Sequence, residues 1–262
     1  MEQTTAETDG AVLAYELTGT GPPDVLCLHG WAGTGAAFDG VIGALDTTQL
    51  RTIAPDLRGH GGSCGDDAEY TLELLTADAL ATADAAGADE LVVLGFSMGA
   101  KFAQHLALTA PDRVVGLVLV AGCPAGEIPL PPELVADWNS RAGDVERLAE
   151  LTLQFTTNPV DPAALDAWTR SAAAVSPAAL AGTLTATIAT SFAAEVGAIS
   201  ARTLVVGGAS DAIFTPELLR DAVAAPIAGA RLALLDAGHE LLLEKPSELA
   251  ALVQAFLAGL GR

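Results

Sequence analysis

Three residues of the chain have the types and settings of a nucleophile, an acid and a base: Ser97 in VLGFSMGAK, Asp211 in VVGGASDAIF and His239 in LLDAGHELLLEKP. A serine hydroxyl is a weak nucleophile until a base takes its proton, and a neutral imidazole does this near pH 7. A carboxylate beside the imidazole fixes its tautomer and stabilises the imidazolium that forms. The setting of Ser97 is the most specific of the three. The run Leu91 to Leu94 is short, uncharged and partly β-branched, as suits a strand buried on both faces, and helical character resumes directly after the serine. A turn from strand into helix without a loop crowds the positions two before and two after it, here Gly95 and Gly99, which carry no Cβ. Ser97 is then held outward beside the first amides of a helix, donors that can stabilise an anion.

Elements of both kinds must bring these residues together. Strand-like runs fall at 11–17, 25–29, 51–55, 91–94, 114–121, 203–207 and 231–235, with helical stretches predicted at about 36–46, 71–86, after Ser97, from Thr215-Pro216 and at about 247–258. This alternation predicts an α/β fold with a doubly wound, mostly parallel sheet. Asp211 and His239 each follow the end of a late strand. Ends of parallel strands share one edge, so Ser97, Asp211 and His239 can converge although they are far apart in sequence. Residues 123–200 contain no strand-like run, and Asp161-Pro162 and Ser176-Pro177 each place an N-cap residue before a proline at the first helical position, so this segment reads as a helical insertion. Residues 171–194 carry no charge, but seven Ser or Thr residues, Pro177 and Gly182 argue against a membrane span. Leu180, Leu184, Ile188 and Phe192 recur at steps of four, the stripe of a helix packed by one face over the core.

Composition narrows the function further. A chain that is 51% hydrophobic, without a long polar tract, is large enough for one sizeable core with an inserted subdomain. Its 33 acidic and 12 basic residues give a formal net charge of −21, a surface that repels nucleic acid and anionic membranes and disfavours polyanionic substrates. The opening MEQTTAETDG has neither a basic nor an apolar region of a signal peptide, so a cytoplasmic location is expected. Cys27, Cys64 and Cys123 are odd in number and lack metal-ligand spacing; they read as reduced thiols. No His, Cys or carboxylate cluster suggests a metal, and no cofactor is expected.

With these motifs placed, the chain resembles the α/β-hydrolase superfamily over nearly its whole length, through HGW at 29–31, DLRGHGGS at 56–63, GFSMG at 95–99, the late Asp211 and AGH at 237–239. The resemblance implies a hydrolase core of residues 1–122 and 201–262 and a helical cap of residues 123–200. It implies that the backbone amides of Trp31 and Met98 form an oxyanion hole, and that Asp211 rather than Asp236 or Glu127 is the acid. It also implies that His29 and His60 stabilise loops, while His105, about two helical turns beyond Ser97, packs between helices. Ala100 departs from the glycine that relatives often carry there.

The expected activity is hydrolysis of an ester, a lactone or a similarly activated acyl bond through an acyl-enzyme on Ser97. Ser97 excludes the branches that use an aspartate nucleophile, the haloalkane dehalogenases and epoxide hydrolases, and a lysine-free cap argues against plant-type hydroxynitrile lyases. Resemblance to enol-lactonases and cofactor-free haloperoxidases leaves perhydrolysis as an alternative, and a slow-turnover ligand receptor of the same fold is another. An esterase acting on acyl carrier protein is disfavoured, because that partner is itself acidic and the cap offers only Arg141, Arg147 and Arg170. The cap side chains Trp138, Phe155, Trp168, Leu184, Ile188 and Phe192 are expected to line a largely apolar pocket for a small-molecule substrate.

Overall fold

A computed structural model describes residues 4–8, 10–65 and 70–260. Its frame is one sheet of nine strands: β1 (Thr4–Thr8), β2 (Ala11–Gly19), β3 (Asp24–Leu28), β4 (Arg51–Pro55), β5 (Cys64–Gly65), β6 (Leu91–Phe96), β7 (Val114–Val120), β8 (Arg202–Gly208) and β9 (Arg231–Leu235). The order is β1-β2-β4-β3-β6-β7-β8-β9, with the short β5 paired to β2. From β4 to β9 every pairing is parallel, while β1, β4 and β5 run antiparallel to β2. The chain passes from β3 outward to β4 and then returns to the other side of β3 as β6. The strand order therefore reverses between β3 and β6, the place where open sheets of this kind form a crevice at their carboxyl ends.

Alternation along the central strands divides the core into two layers. Leu26, Leu28, Leu91, Val93, Leu117 and Leu119 face one side, packed under α2 (Leu72–Ala85) and α3 (Met98–Thr109). Val25, Cys27, Val92, Leu94, Val118 and Val120 face the other, covered by α1 (Asp39–Ile42) and the C-terminal α10 (Pro246–Leu260). Burial on both faces explains why these strands read as continuous apolar runs.

Between β7 and β8 lie four helices and no strand: α4 (Pro132–Asn139), α5 (Val145–Gln154), α6 (Pro162–Ala173) and α7 (Pro177–Ala189). Asp161 and Ser176 cap α6 and α7 through their side chains, each ahead of a proline, as the sequence pattern predicts. Among the described residues no single helix is long and apolar enough to cross a membrane, and α6 and α7 meet at 96°. Leu180 and Leu184 are buried on α7. The four-residue stripe is shorter than predicted, because α7 ends at Ala189 and Phe192 falls beyond it.

Other elements differ from the sequence reading, among them the two-residue β5 and three more. β1 was not predicted: in TTAET only Ala6 turns inward, so the strand carries almost no apolar signal. The helix predicted at 36–46 shrinks to a 3₁₀ turn, Gly35–Phe38, and the single turn of α1, where Gly40 and Gly43 weaken helix propensity. The helix starting at Pro216 is α8 (Pro216–Leu218), which passes into a π-helical turn at Leu219–Ala224 before β9.

The insertion is tied to the sheet domain by buried ionic groups that bond to backbone. Lys101 on α3 is fully buried, and its Nζ donates to the carbonyls of Gly126, Thr187 and Thr190 at 2.7, 2.6 and 2.7 Å. Two of these lie at the C-terminal end of α7, where helix carbonyls lack intrahelical partners and the dipole favours a cation. Burial lowers the Lys101 pKa to about 8, yet three acceptors require the three protons of the ammonium form. Lys101→Met leaves these carbonyls without their donor, and should cost about 2–4 kcal/mol in denaturant unfolding. A loss under about 1 kcal/mol would show that water replaces the ammonium.

Candidate active site

The serine sits on a strained turn. Ser97 has φ +51°, a left-handed conformation rare for a residue with a side chain, and it serves as the N-cap of α3 directly after β6. A Cβ on Gly95 would lie 2.6 Å from the Ala100 Cα, and one on Gly99 would lie 2.6 Å from the Leu28 carbonyl carbon. The turn forms only because both positions lack that atom. The Ser97 amide donates to the Val120 carbonyl at 2.8 Å, which fixes the turn to β7.

The structure brings the three sequence-predicted residues into one line. Nε2 of His239 is 3.0 Å from Ser97 Oγ, and Nδ1 of His239 is 2.9 Å from Asp211 Oδ2. Asp211 Oδ1 accepts from the amides of Ile213 and Phe214 at 2.7 and 3.0 Å, so the loop after β8 orients the carboxylate. An acceptor at Nδ1 places the imidazole proton there and leaves Nε2 able to take the serine proton. Burial pulls the His239 pKa down, but the hydrogen bond and charge of Asp211, with Glu240 and Glu244, outweigh it and leave a net rise. Asp236 is exposed and follows the last residue of β9, and Glu127 is exposed on the cavity wall. Neither is hydrogen-bonded to His239.

The amides of Trp31 and Met98 have no hydrogen-bond partner among the described residues, and both residues border the same cavity as Ser97. The His29 ring braces the loop before Trp31: Nε2 accepts from the Leu57 amide at 3.0 Å, which leaves Nδ1 to donate to the Gly30 carbonyl at 2.8 Å. Burial lowers its pKa to about 4. His60, lowered to about 3 mainly by burial, bonds the Arg58 carbonyl and packs 5.0 Å from His29. His105 Nδ1 lies 3.1 Å from the Thr76 hydroxyl on α2.

The cavity over Ser97 has a volume of about 260 Å³. Of the six predicted wall residues, Trp138, Phe155, Trp168, Leu184 and Ile188 line it. Phe192 does not, because beyond the end of α7 its ring turns into the core, 5.4 Å from His105. The sequence reading missed Phe96, Ile213 and Phe214, which the strand-to-loop junctions of Ser97 and Asp211 place there, and Glu240 beside His239.

It also missed a carboxylate that joins the His239 loop to the insertion. Glu244, on the single turn α9 (Leu241–Glu244), accepts from the amides of Gly238, Thr157 and Asn158 at 3.0, 2.8 and 2.8 Å. The His239 amide itself donates to the Phe155 carbonyl at 2.8 Å. These hydrogen bonds hold Glu244 below the usual carboxylate range against the opposing effect of burial. Nothing in ELLLEKP marks this glutamate out. Lys101, by contrast, is a lone charge in an otherwise apolar helix and could have been singled out.

The sheet order, the turn at Ser97 and the serine–imidazole–carboxylate line are those of a hydrolase fold, and residues 25–252 match the Alpha/beta hydrolase family, to which the chain belongs. The chain is 32% identical over 260 residues to a pimeloyl-[acyl-carrier protein] methyl ester esterase of Nitrosomonas europaea, covering 91% of this chain and 96% of that one. Among solved structures, a hydrolase from Pseudomonas aeruginosa superposes with TM-score 0.84 at 31% identity, covering 98% of each chain. The enol-lactonase of Burkholderia xenovorans superposes with TM-score 0.86 at 25% identity, over 97% of this chain and 100% of that one.

The electrostatic setting of His239 is directly measurable. An NMR titration should place its pKa above the ordinary imidazole value of about 6.5, and Asp211→Asn should bring it down by removing the main raising influence. A wild-type value at or below the ordinary one would mean that burial prevails.

Proposed function

We propose that this protein is a cofactor-independent serine hydrolase that cleaves a small, largely apolar, uncharged ester or lactone. The observation that carries this reading is the continuous line from Asp211 through His239 to Ser97 at 2.9 and 3.0 Å, opening into an apolar cavity. Ser97 Oγ attacks the acyl carbonyl while His239 Nε2 takes its proton, and the amides of Trp31 and Met98 receive the tetrahedral oxyanion. His239 then protonates the leaving alcohol and activates the water that releases the acid. Residues 123–200 serve as a cap that supplies the wall opposite the serine. Exclusion of water by that wall strengthens the electrostatic help given to the oxyanion.

The curated relative's substrate is borne on acyl carrier protein, but the charges of this chain favour a free small molecule. The three cap arginines lie beside two aspartates: Arg141 and Arg147 share Asp137 at 2.8 and 3.4 Å, and Arg170 meets Asp166 at 2.8 Å. Residues 123–200 carry nine acidic residues against these three arginines, and with the net charge of −21 the cap opposes an acidic carrier or a phosphorylated ligand. Five aromatic or aliphatic cap side chains and Phe96, Ile213 and Phe214 instead suit an apolar acyl or alcohol group.

A fluorophosphonate probe should label the protein, and Ser97→Ala should abolish both the labelling and nearly all ester hydrolysis, a loss on the order of 10⁶ in turnover. Asp211→Asn should reduce turnover by roughly 10⁴ through the wrong imidazole tautomer. Undiminished hydrolysis by Ser97→Ala would overturn the reading. In a panel of neutral esters and acyl-CoA thioesters sharing one acyl chain, the neutral series should have the higher kcat/KM at low and high salt. The reverse order would reveal a cationic site elsewhere on the cap.

A further inference from the structure

Glu240 follows His239 directly and lines the cavity, with 8% of its surface exposed. Its carboxyl makes no hydrogen bond and no ion pair among the described residues: Oε2 is sealed from solvent, and the equally unbonded Oε1 is the oxygen that keeps access. The other buried polar side chains of the wall are already committed. Trp31 Nε1 donates to the Leu180 carbonyl at 2.9 Å, and the hydroxyls of Thr152 and Thr187 bond within their own helices at 3.0 and 2.8 Å. Ser97 and His239 are bonded to each other.

A buried carboxyl without a partner is costly, and a ligand in the cavity can supply that partner at the accessible oxygen. We propose that Glu240 determines specificity by binding a hydrogen-bond donor, an O–H or N–H group, carried by the ester or lactone in addition to its reacting carbonyl. The inference rests on the ester-hydrolase reading and refines its substrate class, an ammonium donor being the one departure from an uncharged ligand that it would admit. A donor is the group that fits in both states of the carboxyl, since the neutral acid and the carboxylate each accept a hydrogen bond. An ether or ketone oxygen is served only by the neutral acid, and a substrate carboxylate is repelled by the ionised form. Burial raises the Glu240 pKa to about 7, opposed by His239 and reinforced by Glu244 and Asp211, so both states are populated near neutrality. The rest of the wall is mostly apolar, its one other carboxylate, Glu127, being exposed to solvent, so a single buried polar contact weighs heavily in orientation.

The test compares methyl esters of ω-hydroxy, ω-amino, ω-methoxy and unsubstituted alkanoic acids over a ladder of chain lengths. At the length that reaches Glu240, wild-type kcat/KM should favour a donor ester over its methoxy counterpart by about tenfold, the size of one charge-assisted hydrogen bond. Glu240→Leu should erase the preference. Glu240→Gln should keep the preference for hydroxyl and lose any preference for ammonium. A larger wild-type advantage for the ammonium series would identify a cationic donor, and a larger advantage for the hydroxyl series a neutral one. A preference that persists in Glu240→Leu, or wild-type turnover of plain esters with no donor preference at any length, would overturn the inference. If no ester is hydrolysed, the proposed activity fails instead, and calorimetry on Ser97→Ala decides the role of Glu240 separately. There α,ω-diols should bind more tightly than the matching primary alcohols, and equal affinities would overturn it.

Discussion

The turn at Ser97 is the constraint on which the rest of the site depends. A left-handed backbone at a residue with a Cβ is costly on its own and persists only when its surroundings over-determine it. Here the surroundings are the central strand β6, the helix α3 that starts at the next residue, and two glycines against which any Cβ would collide with backbone. The strain has a use. It holds the hydroxyl at the edge of the sheet with the first amide of α3 beside it, and it prevents the serine from joining the helix and turning inward.

Once that point is fixed, the remaining groups need only reach it from neighbouring strand ends. β8 and β9 lie on one side of β6 and deliver Asp211 and His239, while β3 lies on the other and delivers the Trp31 amide. The loops are stiffened by polar side chains that bond to backbone or to one another. Asp56 accepts from the amides of Gly35 and Gly62, both at 2.8 Å, and Arg58 makes a bidentate pair with Asp78 at 2.8 and 2.9 Å. Lys101 and Glu244 extend this to the insertion, the cation taking three carbonyls and the anion taking three amides. Each satisfies backbone groups that the ends of helices and tight loops leave over. The His239 loop and the cavity wall at Phe155 are therefore parts of one hydrogen-bonded unit, and displacement of that wall would also disturb the imidazole.

The sheet and the turn at Ser97 were legible because both follow from steric rules that act within a few residues. Strands buried on two faces must be apolar throughout, and a strand-to-helix turn must have glycine on each side. The convergence of Asp211 and His239 on Ser97 followed from topology, which places the ends of parallel strands together whatever lies between them. The insertion was legible only as helices. Its cavity residues were read from type and spacing, and Phe192 shows the limit: the step of four continued in the sequence after the helix had ended. Glu240 and Glu244 were not legible because they are ordinary glutamates in an acidic chain. Their separate surroundings, an apolar cavity for one and three amides for the other, are assembled from segments more than eighty residues apart in the sequence.

The site divides along a line set by chemistry. The proposed reacting groups Ser97, His239 and Asp211, with the Trp31 and Met98 amides, sit at the sheet edge, where small displacements would alter a reaction. The groups that contact the rest of a ligand come mostly from the insertion, with Phe96, Ile213, Phe214 and Glu240 as the sheet domain's share. A relative of similar fold can thus keep the reacting line and differ in what it admits. In this chain the net negative charge opposes an acidic ligand at a distance until salt screens it beyond about 8 Å. Selection then falls to contacts inside the cavity. There an apolar wall discriminates weakly, by about 1–3 kcal/mol per methylene, whereas a buried polar group left unpaired by the wrong ligand discriminates more sharply.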